Sequence, residues 1–313
     1  MHPLVIVLIV LLSIVALLFL ITFICFRLTF YNTKKQKIVK EFDLPPDKIY
    51  EPYHKQMLEW MKESKTFSCE KIEIKSFDGL TLRGKYYEHQ KGTPIEIMFH
   101  GYRGSSERDL CGGIQRCLSL KRNVLIVDQR AHASSDGHVI TFGIKERFDC
   151  VSWANYAYER FGKDVKLIIT GISMGASTVL LASELPLPET VVGVVADCGY
   201  SSPKEIIKST IRKMHLPARI FYPFVKLGAK IFGKFNIEER TPLDAVKNTS
   251  LPIVFIHGDN DDFVPYEMSV KMYNACKNEK KLITAKGAGH GMAYLIDPDE
   301  YIRQLEEFEK AHY

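Results

Sequence analysis

The longest apolar block in the chain comes first: Leu4 to Phe26 contains no charged residue, and only Ser13 and Thr22 interrupt its Leu, Ile, Val and Phe. At about 1.5 Å per residue such a stretch covers roughly the 30 Å hydrocarbon core of a bilayer, so it predicts a transmembrane helix. A cleaved signal peptide would need a basic start and a small-residue cleavage site. Met1–Val5 has no Lys or Arg, and the residues after Phe19 offer no such site. After a linker marked by Pro45-Pro46, the positions Tyr53, Met57, Trp60 and Met61 recur near helical spacing and predict a short amphipathic helix covering the edge of the following domain.

Beyond Cys69 the pattern changes to alternating strand-like and helix-like stretches. Residues 70–77 and 80–88, joined through Asp78-Gly79, alternate with a period of two and predict a hairpin. Six short, almost wholly apolar runs follow at 94–99, 123–128, 165–170, 190–196, 252–257 and 280–285, as expected of strands buried on both faces. Helix-like stretches lie near 106–121, 145–161, 174–184, 266–277 and 298–311. The predicted class is α/β: a mostly parallel, eight-stranded sheet with helices on both faces and an antiparallel hairpin at one edge. More than fifty residues separate the runs ending at Ala196 and beginning at Pro252, too many for a bare loop. They predict a helical cap inserted at about 199–245. The expected layout is a transmembrane anchor at 4–26, a linker and amphipathic helix at 27–68, and an α/β domain at 69–313 carrying the cap.

Charge adds an orientation. Arg27, Lys34, Lys35, Lys37 and Lys40 follow the apolar block and no Lys or Arg precedes it, so the positive-inside rule places the large domain in the cytoplasm beneath the cell membrane. The formal net charge of +5 is modest, and no basic run with interleaved aromatics suggests a nucleic-acid partner. The seven cysteines are odd in number, scattered and without a C-x-x-C pair, which speaks against a disulfide framework and a zinc site. Residues 228–235 superficially match a phosphate-binding loop, but Phe235 stands where Ser or Thr must hold magnesium; residues 259–263 are acidic, but Val270 stands where a calcium loop needs Glu. No metal and no cofactor are expected.

The chemistry concentrates around Gly171-Ile172-Ser173-Met174-Gly175, a G-x-S-x-G pattern placed between a buried strand and a helix. In a nucleophile elbow Gly171 and Gly175 let strand and helix pack closely around a strained serine, whose hydroxyl then stands above a helix N-terminus. Such a serine needs a base and an acid downstream, in that fold in the order Ser, acid, His. Of the ten histidines only His290 and His312 follow every candidate acid, and His290 lies in a glycine-rich loop just after the last strand. Asp259, Asp261, Asp262 and Asp197 all remain possible acids on placement. For the oxyanion, the N–H of Met174 and that of Tyr102, in the loop His100-Gly101-Tyr102-Arg103-Gly104, are the natural donors. His100 precedes the serine and suits a structural hydrogen-bonding role.

These motifs, with "DQRAHASSDG" and "HGDNDDFVP", resemble those of the α/β-hydrolase superfamily, especially bacterial membrane-associated proteins of the serine aminopeptidase-like and carboxylesterase-like group, over roughly residues 69–311. The resemblance implies the α/β-hydrolase fold, a Ser173–His290–Asp261 triad and cleavage of an ester through an acyl-enzyme. Peptidase or thioesterase action uses the same parts, and a membrane-tethered binding module would keep the fold without turnover. One departure is visible: the group's usual R-G-H-G-x-S reads Arg130-Ala131-His132-Ala133-Ser134-Ser135. Between Lys204 and Lys234 the cap carries eight basic residues against Glu205 alone. They form either solvated outer faces of lid helices or a surface for anionic lipid. The expected partners are therefore a small-molecule or lipid-like ester and the membrane.

Overall fold

The structure, a computed structural model, describes residues 2–32, 42–46 and 48–312. Lys34, Lys35, Lys37 and Lys40, on which the orientation rests, and parts of the linker lie outside them. The apolar runs become the strands β1 (Glu70–Lys75), β2 (Thr81–Tyr87), β3 (Ile95–Phe99), β4 (Asn123–Asp128), β5 (Leu167–Ile172), β6 (Val191–Asp197), β7 (Ile253–Gly258) and β8 (Lys280–Ala285). They form one eight-stranded sheet in the order β1-β2-β4-β3-β5-β6-β7-β8. β2 is antiparallel to both neighbours and the rest are parallel. The hairpin turns where expected, with Gly79 at φ +87°, a conformation that glycine adopts without steric cost.

Alternation within each strand supplies both layers of helices. Ile97, Phe99, Leu125, Val127 and Ile169 meet the helices Glu146–Phe161 and Met174–Ala182 on one face. Met98, Ile126, Ile168 and Val254 point the other way, toward the helices Cys111–Ser119 and Pro298–His312. The exception is Glu96, fully buried on β3, which is paired with Arg116 and Arg122 and accepts a hydrogen bond from Thr170 at 2.7 Å.

Strand order fixes where a ligand can enter. From β3 the chain passes to β4 on one side and β5 on the other, so the loops leaving β3 and β5 diverge and open a crevice at their carboxyl ends. The cap helices Pro203–Lys213 and Ala218–Ile231 pack in one buried cluster with Met174, and Lys213 reaches the lining of the cavity at that end.

Two segments do more than their patterns suggested. The apolar helix runs Pro3–Thr29, long and apolar enough to cross a membrane, and continues past Phe26 into the segment expected to be linker. There Tyr31 bridges to Val139, Asn32 donates to Ala131 O at 2.9 Å, and Phe30 is fully buried. The amphipathic helix His54–Thr66 buries Met57 and Met61 as its spacing required. It lies on the helix Cys111–Ser119 and turns Met57 and Trp60 toward the crevice.

Candidate active site

Ser173 follows the last residue of β5 and is the N-cap of the helix Met174–Ala182, with φ +56° and ψ −114°. A side chain rarely adopts that backbone, and it persists because the packing around it leaves no alternative. A Cβ on Gly171 would sit 2.1 Å from the Gly175 carbonyl carbon, and one on Gly175 would sit 2.0 Å from Phe99 O. Both glycines are therefore needed for the helix to cross the strand ends so closely. As the first helical residue, Met174 has an N–H without an intrahelical acceptor.

The three side chains named from the sequence meet. Ser173 Oγ lies 2.9 Å from His290 Nε2, and His290 Nδ1 lies 2.7 Å from Asp261 Oδ2. Of the four acids weighed on placement, only Asp261 makes this contact. Asp259 accepts the Gly287 N–H at 2.6 Å and so closes the loop that carries His290. Asp262 lines the cavity wall, and Asp197 sits beneath the serine, its carbonyl accepting the Ser173 N–H at 2.8 Å.

Asp261 is fixed from three sides. Its Oδ1 accepts the N–H groups of Phe263 and Val264 at 2.8 and 2.9 Å, and its Oδ2 faces His257 Nε2 at 3.1 Å as well as His290. Burial by itself would raise its pKa, but the hydrogen bonds from His257 and His290 outweigh it and hold the carboxyl well below the usual range. It therefore stays ionised facing the imidazole. His257 is held in turn by Ser269 Oγ at 2.7 Å. The sequence displayed this histidine beside the Asp261 motif, yet no spacing rule marked it as a support.

On the other side of the crevice, Gly101 lies so close that an added Cβ would be 3.5 Å from Ser173 Cβ. Its N–H donates to Asp109 Oδ2 at 3.0 Å. Two buried imidazoles brace this loop. His100 Nε2 accepts the Gln129 N–H at 3.0 Å while its Nδ1 faces Gly101 O at 2.8 Å; His132 Nε2 accepts the Arg103 N–H at 3.0 Å while its Nδ1 faces Arg130 O at 2.8 Å. Burial pushes the His132 pKa well down, consistent with a neutral ring that can accept. Next to His132, Ala131 and Ala133 stand at φ +64° and +37°. The alanines that replace the group's glycines thus occupy left-handed positions that glycine would adopt more easily.

The crevice holds a cavity of about 590 Å³ with Ser173 and His290 in its wall. Ile49, Trp60, Tyr294 and Leu295 make one side apolar. Tyr50 also borders it and donates from its hydroxyl to His290 O at 2.6 Å, a support that no motif announced. The floor is polar: Arg116, Tyr301 and Asp197 meet there, with Tyr301 Oη 3.0 Å from Arg116 and 3.3 Å from Asp197 Oδ2. Burial pushes Asp197 up to about 6. Among the described groups, Cys198, Asp261 and His290 lie close enough together to hold a metal ion. Asp261 and His290 are already bonded to each other, and burial raises the Cys198 thiol, so the trio is poorly suited to one.

Comparison with known proteins places this geometry. Residues 142–312, which include Ser173, Asp261 and His290, match the model of the prolyl oligopeptidase family. The chain belongs to that family. Among curated relatives, this family member is 28% identical to YqkD of Bacillus subtilis over 61% of its own length and 63% of that protein's. It therefore spans less than two thirds of YqkD. It is 23% identical to Bem46 of Schizosaccharomyces pombe, over 68% and 67% of the two chains. A crystal form of the Pyrococcus furiosus esterase Pf2001 superposes with a TM-score of 0.64 and 25% identity, covering 80% of this chain and 95% of that one. Est1E from Butyrivibrio proteoclasticus shares the fold at 21% identity and a TM-score of 0.57, over 77% of this chain and 98% of its own. The fold is that of the α/β hydrolases.

Proposed function

We propose that this family member is a membrane-anchored serine hydrolase that cleaves a carboxylic ester with an apolar chain through an acyl-enzyme. The observation that carries the reading is the unbroken line of hydrogen bonds from Ser173 through His290 to Asp261, set on a strained elbow. Ser173 Oγ attacks the ester carbonyl carbon and its proton passes to His290 Nε2. Asp261, ionised, orients the ring through Nδ1 and stabilises the imidazolium. The N–H groups of Met174 and Tyr102 hold the oxyanion. Collapse expels the alcohol, which takes the proton from His290, and the acyl group remains on Ser173. A water molecule then gives its proton to His290 and attacks the acyl-enzyme, releasing the acid and restoring the serine.

The apolar wall of Ile49, Trp60 and Leu295 suits an acyl chain. The helix Pro3–Thr29 supplies the anchor, with the domain on the cytoplasmic side. Membership of the prolyl oligopeptidase family favours peptidase action as the second reading, because the same triad cleaves amides.

A fluorophosphonate probe tests the nucleophile. Labelling of the wild-type chain and its loss in Ser173→Ala are expected, with hydrolysis of a short p-nitrophenyl ester falling by about 10⁴-fold or more. Equal labelling of both proteins would sink the mechanism. Faster turnover of aminoacyl amides than of matched esters would select the peptidase reading.

A further inference from the structure

The second cap helix, Ala218–Ile231, is built in three stripes. Ala218, Tyr222, Val225 and Gly228 face inward and are buried. Ile220, Leu227 and Ile231, spaced by seven and four, face outward with 58%, 45% and 44% of their surface exposed. One residue before each of them stand Arg219, Lys226 and Lys230, a parallel basic stripe. The turn between the cap helices adds exposed Met214 and Leu216 beside Arg212 and Lys213. Exposed apolar residues flanked by cations are the surface of a helix that lies in a lipid interface.

The anchor fixes this face relative to a bilayer. Gly228 is packed so tightly on it that an added Cβ would lie 2.9 Å from Phe26 Cβ and 3.0 Å from Thr22 O. Phe232 stacks edge-on against Phe19 and Phe23, each at 5.2 Å. The 27-residue helix is about 40 Å long, some 10 Å more than a bilayer core, a surplus of roughly seven residues. The cap grips the last turns of that helix, from Phe19 to Phe26, which lead from the hydrocarbon into the headgroup level once the surplus is placed at the carboxyl end. The charges match that level: Lys226 pairs with Glu238, whereas Arg212, Lys213, Arg219 and Lys230 have no ion-pair partner among the described residues. From the same face a route leads inward, since Lys213 lies over the Phe263 ring at 5.6 Å and that ring packs 5.0 Å from His290.

We propose that the outer face of Ala218–Ile231 and the turn before it rest on an anionic lipid surface, so that the cavity mouth beside Lys213 and Phe263 receives an amphiphilic ester from the bilayer. The substrate class rests on the hydrolase reading above; the docking face does not.

The test uses the full chain in vesicles of phosphatidylcholine with and without about a third phosphatidylglycerol. An environment-sensitive fluorophore is attached at Ile220→Cys, or at Lys163→Cys, exposed at the amino end of β5, in a chain whose Cys25 and Cys69 are serine. Doxyl-labelled phospholipid is expected to quench the label at 220 at least about threefold more than the label at 163, and more strongly with the anionic lipid. Equal quenching at both sites overturns the docking face. A chain carrying Ile220→Glu, Leu227→Glu and Ile231→Glu is expected to hydrolyse a vesicle-borne long-chain p-nitrophenyl ester about tenfold more slowly, with a water-soluble short ester within about twofold of wild type. Unchanged hydrolysis of the long ester overturns the route from the bilayer. Absence of all turnover in the wild type would instead defeat the hydrolase reading, and the quenching would still decide the docking.

Discussion

Asp197 is a carboxyl with one oxygen, Oδ1, buried and without a hydrogen-bond partner among the described residues, at the polar floor of the cavity. Burial lifts it to about 6, and the titratable groups facing it are Arg116, His257 and His290, with the Tyr301 hydroxyl beside them. Between about pH 4 and 6 the folded chain keeps a proton that the unfolded chain has released, so this group's contribution to stability declines as pH rises through that window. Asp197→Asn removes the titration. Urea unfolding in detergent micelles is expected to show the variant gaining up to about 3 kcal/mol on wild type between pH 4 and pH 7, and a difference that does not change with pH would refute the account. A second residue-scale effect concerns Ala133 at φ +37°. A left-handed alanine costs about 1 kcal/mol or more, which exceeds the entropy that glycine adds to the unfolded chain. Ala133→Gly is therefore expected to raise Tm by a few degrees, and a lower Tm would mean that its methyl contacts outweigh the strain.

At the scale of elements, one close joint outside the elbow is that between the apolar helix Pro3–Thr29 and the second cap helix. Gly228→Val would push a branched side chain into Phe26 Cβ and Thr22 O, so the cap helix must move away from the anchor. A loss of about 1–3 kcal/mol in unfolding stability is expected, whereas Leu227→Val, one position along and exposed, should stay within about 0.5 kcal/mol. Equal effects from the two would show that the contact carries no load. The same joint reaches the catalytic loop. Tyr102 Oη donates to Thr29 O at 2.8 Å and Arg103 to Leu28 O at 2.8 Å, so the last turn of the apolar helix holds the segment proposed to bind the oxyanion. Strand runs and the paired glycines were legible because burial on two faces and backbone crowding each leave a local signature. The roles of the helix His54–Thr66 and of residues 27–32 were not, because an amphipathic stripe says that a face is covered without saying by what.

In the whole molecule, Phe30, Met174, Tyr222, Phe235 and Ile237 belong to one buried cluster, so the end of the apolar helix, the residue after Ser173 and the cap share a core. The sequence alone determined the apolar helix, the eight strands, the cap's place in the chain and the order of Ser173, Asp261 and His290. Each of these is written in local periodicity, in glycine spacing or in chain order. Tertiary structure decided which of four carboxylates meets His290, that His257 and Tyr50 support the site, and that the cap's basic and apolar stripes lie beside the carboxyl end of the apolar helix. Those outcomes depend on side chains far apart in sequence arriving within about 3 Å of one another, a distance that packing sets and that spacing along the chain does not encode.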